Sequence, residues 1–236
     1  MNNAVLITAA GSSQRFGEKK EYLTLPGYEE TQTTVLSANV YAFAVSGLFR
    51  SFVITVPEGD EAVAGAVLSQ DSRLSEVLRG IQQHFFIVSG GTTRQESVYK
   101  GLTVLAEKVP ELPSFVLVHD GARPWVSTHV IERVLKTAEQ RGAAVPVIPV
   151  VDTQKEVDAD GRIIRHLVRE QIAAVQTPQA FPFDRLLAAH CKAEHDGCTY
   201  TDDSEIYAKY CGAVYTCPGA RENKKITYRE DLKVTR

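Results

Sequence analysis

The sequence predicts a single α/β domain built on a mainly parallel, doubly wound sheet. Three observations predict it. Short apolar runs rich in β-branched residues recur along the chain, amphipathic stretches separate them, and 236 residues at 44% hydrophobic content can fill one core. Ala4 to Thr8 reads as the first strand, followed by Ser51 to Val56, Phe85 to Val88, Phe115 to Val118 and Ala143 to Ile148. Helices fit between them near 31 to 46, 60 to 79, 95 to 108 and 127 to 141, the last with Ser127 as a plausible cap. Such alternation gives parallel neighbours, and sheets of this kind bind ligands outside the carboxyl ends of their strands. Polar residues just after each strand are therefore the first site candidates.

Between Val151 and Val175 the pattern changes to Val-Asp-Thr-Gln-Lys-Glu-Val, a turn signal at Asp158 to Gly161, and Arg-Ile-Ile-Arg-His-Leu-Val. This reads as an inserted β-hairpin arm at about 152 to 168. A hairpin is marginal alone, so it folds back on its domain or packs against another chain. The rest returns to helix near 183 to 194 and 203 to 210, with strands near 213 to 217 and 224 to 227. No repeat, linker or low-complexity tract divides residues 1 to 236, which read as one domain.

Charge narrows the partners. Lys and Arg number 26 against 29 Asp and Glu, a formal −3, so no global cationic surface points to nucleic acid or to an anionic membrane. Any phosphate site must be local. The apolar stretch Ala4 to Ala10 is too short for a signal peptide or a membrane span, which gives a cytoplasmic expectation. The four cysteines, Cys191, Cys198, Cys211 and Cys217, form no C-x-x-C pair and read as reduced. A zinc site from Cys191, His195 and Cys198 would lack an evident fourth ligand, so these cysteines read as small apolar residues instead.

The first strand runs into Ala9, Ala10 and Gly11, followed by Arg15, Lys19 and Lys20. Small residues after a strand let backbone N–H groups approach phosphate oxygens, and the basic side chains supply charge. The spacing is neither that of a P-loop nor that of a dinucleotide fingerprint, and alone it reads equally as a solvated surface loop. After the third strand, Gly90 and Gly91 lead into a helix whose first turn carries Arg94 and Ser97 on one face, near an N-terminus that favours anions. An ordinary turn with a capping serine would look similar. The fourth strand ends in His119-Asp120-Gly121-Ala122-Arg123-Pro124. There Asp120 can hold Mg²⁺ through one carboxylate and Arg123 can face a second phosphate, unless the two form a structural ion pair.

Taken together, Ala9-Ala10-Gly11 with Arg15 and Lys20-Glu21-Tyr22-Leu23, Gly90-Gly91 with Arg94 and Ser97, and His119 to Pro124 resemble the 2-C-methyl-D-erythritol 4-phosphate cytidylyltransferases. Asp152-Thr153, Arg169, Gln176-Thr177-Pro178-Gln179, Thr201-Asp202-Asp203 and Asn223 to Thr227 agree in order. The resemblance implies a Rossmann-like nucleotidyltransferase fold, CTP as co-substrate, Mg²⁺, and attack of the methylerythritol phosphate on the α-phosphorus of CTP in non-mevalonate isoprenoid synthesis. It also implies roles. Arg15, Lys20 and Lys225 would be catalytic; Ala9, Ala10, Gly11, Gly90, Gly91, Arg94, Ser97, Asp120 and Gly121 would hold the nucleotide or metal. Arg123, Thr153, Arg169, Thr177 and Thr201 would receive the polyol phosphate, with Thr153 and Arg169 reaching across a homodimer formed through the arm. Ser13 stands where the family commonly has a glycine, which costs the loop backbone freedom.

Three other readings share parts of this pattern. A ribitol-5-phosphate cytidylyltransferase has the same fold and reaction type, but Ala122 before Arg123 and Arg169 followed by Gln171-Ile172 sit closer to the methylerythritol enzymes. A sugar-1-phosphate nucleotidylyltransferase lacks support from residues 89 to 97 and 119 to 124. A degenerate nucleotide-binding module is favoured by Ser13 alone, and does not require Arg15, Lys20, Asp120 and Lys225 together.

Overall fold

The computed structural model describes residues 2–11, 13, 16–80 and 84–232. In chain order its main elements are β1 (Asn3–Thr8), α1 (Val35–Val45), β2 (Ser51–Val56), α2 (Glu61–Gln70), α3 (Leu74–Val77), β3 (Phe85–Ser89), α4 (Arg94–Lys108) and β4 (Phe115–Asp120). There follow α5 (Thr128–Arg141), β5 (Ala144–Pro149), β6 (Lys155–Val157), β7 (Ile163–His166), β8 (Ala173–Val175), β9 (Gln179–Pro182), α6 (Phe183–His195), α7 (Asp203–Tyr210) and β10 (Tyr215–Pro218). The large sheet runs β10-β5-β9-β4-β1-β2-β3, with β8 on β5. Pairing is parallel from β4 through β1 and β2 to β3 and again between β5 and β10; β9 and β8 run antiparallel. The expected mainly parallel sheet with helices on both faces is what forms.

Both faces of β1 are buried because each meets a helical layer. Val5 and Ile7 pack with α1, α2, α3 and α5 through residues such as Leu36, Phe43, Leu68 and Val134. Ala4 and Leu6 alternate to the other face and meet α4, α6 and α7 through Leu102, Phe183 and Tyr207. Side-chain alternation along a strand thus explains why β1 reads as a continuous apolar run rather than a striped one. Several helix starts are fixed by local chemistry: Thr34, Thr93, Ser127 and Asp202 each accept a backbone N–H from the first turn, an arrangement worth about 1 kcal/mol apiece.

The sequence expectations need correction at several places. The helix expected from 31 starts at Val35, after Thr34 closes a reciprocal capping box with Ser37. The helix expected over 60 to 79 is broken, because Asp71 turns extended and its carboxylate accepts from Ser37, from the Arg73 side chain and from the Arg73 backbone. The last expected strand, 224 to 227, is an irregular segment joined to its neighbour by Ile226 N–H donating to Ala122 O at 2.8 Å. Conversely β8 and β9 are additional to the expected strands; each is short, and β9 gains its place only by lying between β4 and β5.

The arm is a two-stranded sheet of β6 and β7 that pairs with no other strand among the described residues. Its turn is held by Asp158, which accepts the N–H groups of Asp160 and Arg162, and by Gly161 at φ +82°. Val157, Ile163, Ile164 and Val168 are about half exposed on it.

Candidate active site

The loops after β1, β3 and β4 converge because their backbones bond to one another and to β2. Ala9 N–H donates to Thr55 O, Gly90 N–H to Val56 O and Gly121 N–H to Thr8 O, at 2.7 to 2.8 Å. Closeness dictates residue size here. A Cβ on Gly90 would lie 2.4 Å from the Ala10 Cβ and 2.9 Å from Ser97 Oγ, and one on Gly121 would lie 2.9 Å from Thr8 O. Above these loops opens a cleft of about 780 Å³ lined among others by Ala10, Gly11, Lys20, Gly90, Arg94 and Asp120. That volume suits a nucleotide-sized ligand. It lies outside the carboxyl ends of the parallel strands, as this sheet type dictates.

Asp120 is the electrostatic hub of the cleft. Its Oδ1 accepts from Arg94 Nε at 3.2 Å and its Oδ2 from Lys225 Nζ at 2.8 Å, while Arg123 Nε lies 3.6 Å from Oδ2. Burial favours the neutral acid, but Arg94, Lys225 and Arg123 together hold the carboxyl well below the usual carboxylate range. Behind it the Asp120 N–H donates to Thr177 Oγ1, whose hydroxyl also meets His119 Nδ1 at 3.1 Å. His119 Nε2 lies 2.8 Å from Asn39 Oδ1, and burial drives the imidazole down to about 3, so it is neutral. Arg94 makes a second ion pair, Nη1 to Asp203 Oδ2 at 2.7 Å. Burial opposes its charge, and Asp203 with Asp120 outweighs that and raises it further above the ordinary arginine range.

The remaining sequence candidates sort by position. Gly11, Gly91, Ser97 and Lys225 also line the cleft, and Ala9 lies buried beneath it. Ser97 Oγ accepts Gly91 N–H at 3.0 Å and donates to Thr93 O at 2.8 Å, so it shapes the glycine turn. Lys20 Nζ bonds Ser13 Oγ at 3.4 Å and pairs with Glu21 at 3.5 Å. Ser13 itself adopts φ +50°, a glycine-like conformation taken by a serine, with its hydroxyl on Glu21 Oε2 at 3.1 Å. Arg123 is fixed by donating Nη1 to Asn223 O at 2.9 Å. Thr201 bonds Glu205 beside α7, outside the cleft lining. Thr153 and Arg169 lie on the arm and are exposed, apart from the cleft of their own chain. Arg15 lies outside the described residues.

Some participants were missed in the sequence. Glu21 and Asp203 stood inside quoted motifs without a role, although Asp203 opens a capped helix and an acid there is a recognisable anchor for a cation. Lys100, whose Nζ reaches Gly90 O at 3.0 Å, carried no signal beyond its i,i+4 spacing from Glu96. Among the described residues no group of three or more His, Cys, Asp or Glu side chains gathers as a metal centre. The four cysteines are free.

Known proteins share this sequence and fold. The family model described as "IspD: 2-C-methyl-D-erythritol 4-phosphate cytidylyltransferase" matches residues 3–236. A 2-C-methyl-D-erythritol 4-phosphate cytidylyltransferase of Pelotomaculum thermopropionicum is 38% identical, with 98% of this chain and 91% of that protein covered. The chain also matches a bifunctional IspD/IspF enzyme of a Bradyrhizobium species at 38% identity, spanning 54% of that longer protein. Among solved structures, the 2-C-methyl-D-erythritol 4-phosphate cytidylyltransferase of Thermus thermophilus superposes with a TM-score of 0.71 at 30% identity, covering 96% of this chain and 94% of that one. Fold, cleft and sequence agree, and this chain belongs to the 2-C-methyl-D-erythritol 4-phosphate cytidylyltransferase family.

Proposed function

We propose that this chain transfers the cytidylyl group of CTP to 2-C-methyl-D-erythritol 4-phosphate, releasing pyrophosphate and forming 4-diphosphocytidyl-2-C-methyl-D-erythritol. The observation that carries the reading is the Asp120 hub, with Arg94, Arg123 and Lys225 converging on one carboxylate beside the nucleotide-sized cleft. A phosphate oxygen of the polyol attacks the α-phosphorus, the bond to the bridging oxygen breaks, and pyrophosphate leaves with the electron pair. Two anions must meet, and negative charge gathers in the transition state, so fixed cations supply much of the rate. Lys20 and Lys225, with Arg15, serve that charge. Lys225 is more exposed than the two arginines and can exchange Asp120 for a phosphate oxygen.

Cytosine recognition falls to Ala9, Ala10, Gly11, Gly90, Gly91 and Gly121, where only small residues let a base approach the backbone, with Ser97 and Arg94 at the same turn. Asp120 is the carboxylate for Mg²⁺. Its oxygens already face three cations, so the ion fits there only together with the triphosphate, consistent with a metal held by one carboxylate and substrate phosphates. The ion held there would supply charge neutralisation at the triphosphate. Arg123, Thr177 and Thr201 serve the polyol phosphate from the chain's own side. Thr153 and Arg169 come to it from a second copy, because the arm's apolar residues need a partner and its polar ones lie away from their own cleft. This enzyme would work as a cytoplasmic homodimer; no helix among the described residues is long and apolar enough to cross a membrane.

The test is pyrophosphate release with CTP, Mg²⁺ and methylerythritol phosphate, each omitted in turn. Release requires all three, and UTP or ribitol 5-phosphate supports far slower turnover. Equal rates with ribitol 5-phosphate would overturn the polyol assignment, and equal rates with UTP the base assignment.

A further inference from the structure

The Arg94 guanidinium is held from two sides, and the side away from the cleft is built from groups the reaction itself does not need. Nε faces Asp120, Nη1 donates to Asp203 Oδ2 at 2.7 Å, and Nη2 is buried with no partner among the described residues. Asp203 is fully buried, so its charge exists only because partners surround it. The second of those partners is His190, whose Nε2 lies 3.1 Å from Asp203 Oδ1 and whose ring has no exposed side-chain surface. His190 in turn stacks on Tyr99 of α4, with the planes 3° apart and centroids separated by 6.3 Å. The chain of contacts therefore leaves α4 at Arg94, crosses to α7 and α6, and returns to α4 one turn further on.

Such a closed circuit fixes two torsion-rich groups at once. Arg94 has a long side chain that would otherwise lose several rotamers on meeting a ligand. With Nη1 pinned by Asp203 and Nε by Asp120, its planar fork keeps one orientation in the wall of the cleft that Arg94 lines. Resting on the nucleotide reading above, we propose that Asp203, steadied by His190, is a positioning residue that holds the Arg94 guanidinium in the one orientation it presents to the bound nucleotide. Neither Asp203 nor His190 touches the substrate; both act through Arg94.

The experiment separates positioning from fold and from the nucleotide reading itself. The Arg94 side-chain Nη1–H resonance, assigned by its loss in Arg94→Lys, reports the Asp203 contact and a guanidinium fixed without any nucleotide. It should be distinct in wild type and in His190→Gln, whose amide can replace the imidazole donor, and should move to the averaged position of a free arginine in Asp203→Asn and His190→Leu. An unchanged resonance in both of the latter variants overturns the anchoring. In turnover assays Asp203→Asn should raise the KM for CTP by roughly tenfold to a hundredfold, the scale of one hydrogen bond to a charged group, with a smaller change in kcat and none in the KM for the polyol phosphate. His190→Leu should show the same pattern more weakly, so that a poorly folding Asp203→Asn does not remove the test, and His190→Gln should restore it. Equal changes in both KM values, or losses that simply add in the Arg94→Lys background, would mark a structural role and overturn the proposal. A wild-type protein that turns over no CTP would refute the cytidylyltransferase reading, while the resonance still decides whether Asp203 holds Arg94.

Discussion

At the residue scale the cleft divides its charges into those that are tied and those that can be released. Arg94 and Arg123 have further protein partners in Asp203 and Asn223, whereas Lys225 is held by Asp120 and Lys20 only by the long contacts to Ser13 and Glu21. On the proposed reaction, the releasable lysines would follow charge from triphosphate to transition state. Lys20→Ala and Lys225→Ala should therefore each lower kcat by roughly two to three orders of magnitude while thermal unfolding stays near that of the wild type. A fall in Tm with little kinetic effect would mark them as structural. His119 makes a second, pH-dependent contribution. Its folded value of about 3 lies below the unfolded value near 6.5, so the folded state refuses a proton that the unfolded chain takes up. Stability should be flat above pH 6.5 on this account and fall by about 1.4 kcal/mol per pH unit between there and pH 3. Denaturant unfolding between pH 8 and 5 checks it, since His119→Gln should remove that slope.

Charged groups at strand ends were legible in the sequence because their position follows from periodicity alone: a polar residue just after a buried run must sit on the crevice rim. Asp120, Arg94 and Ser97 were found that way. What could not be read were the partners. Asp203 lies far from Arg94 in sequence, and nothing in local spacing announces that α7 begins beside α4. His190 and Asn39 likewise look like ordinary polar residues on amphipathic helices until the helices are packed.

At the element scale, strong local signals were read well and short strands poorly. β1, β2 and β4 are continuous apolar runs; β8 and β9 are 3 and 4 residues long and take their identity from the neighbours they join. The helix expected over 60 to 79 carried no breaker such as glycine or proline near 71, and it is a side-chain carboxylate that stops it. The hairpin at 152 to 168 was legible from its turn, and its proposed role as a shared arm has a direct test. Arg169→Ala and Lys20→Ala homodimers should both be nearly inactive. Dissociated and reassociated together, they should recover activity up to about a quarter of wild type, since half the dimers carry one site with both groups intact. No recovery despite heterodimers confirmed by mass would show that the arm serves its own subunit.

At the scale of the whole molecule, the cleft gathers segments from residue 8 to residue 227, so a ligand filling it bridges parts of the chain that only the folded sheet brings together. CTP with Mg²⁺ at a hundred times its dissociation constant should stabilise the fold by about 2.7 kcal/mol, a rise in Tm of roughly 5 to 10 °C for a chain of this size. UTP at the same concentration should give a smaller rise, and a scan showing no difference between the two would contradict base selection in the cleft.

The antiparallel strand β9 carries a consequence for how the chain is made. β4 and β5 are separated in the sheet by a strand that follows both of them in sequence, with Val118 opposite Gln179 and Ala144 opposite Ala180. As the polypeptide leaves the ribosome, β1 to β4 can assemble in order, but β5 has no place beside them until residues 179 to 182 have emerged. The Thr177 hydroxyl that receives the Asp120 N–H arrives in the same late segment. Until then the edge of β4 is an open template and the aspartate at its end stands without its backbone support. Filling the gap between β4 and β5 and supporting the Asp120 backbone thus both wait on the one segment 177 to 182, whose long-range pairing carries a loop-closure cost that must be met before either is gained.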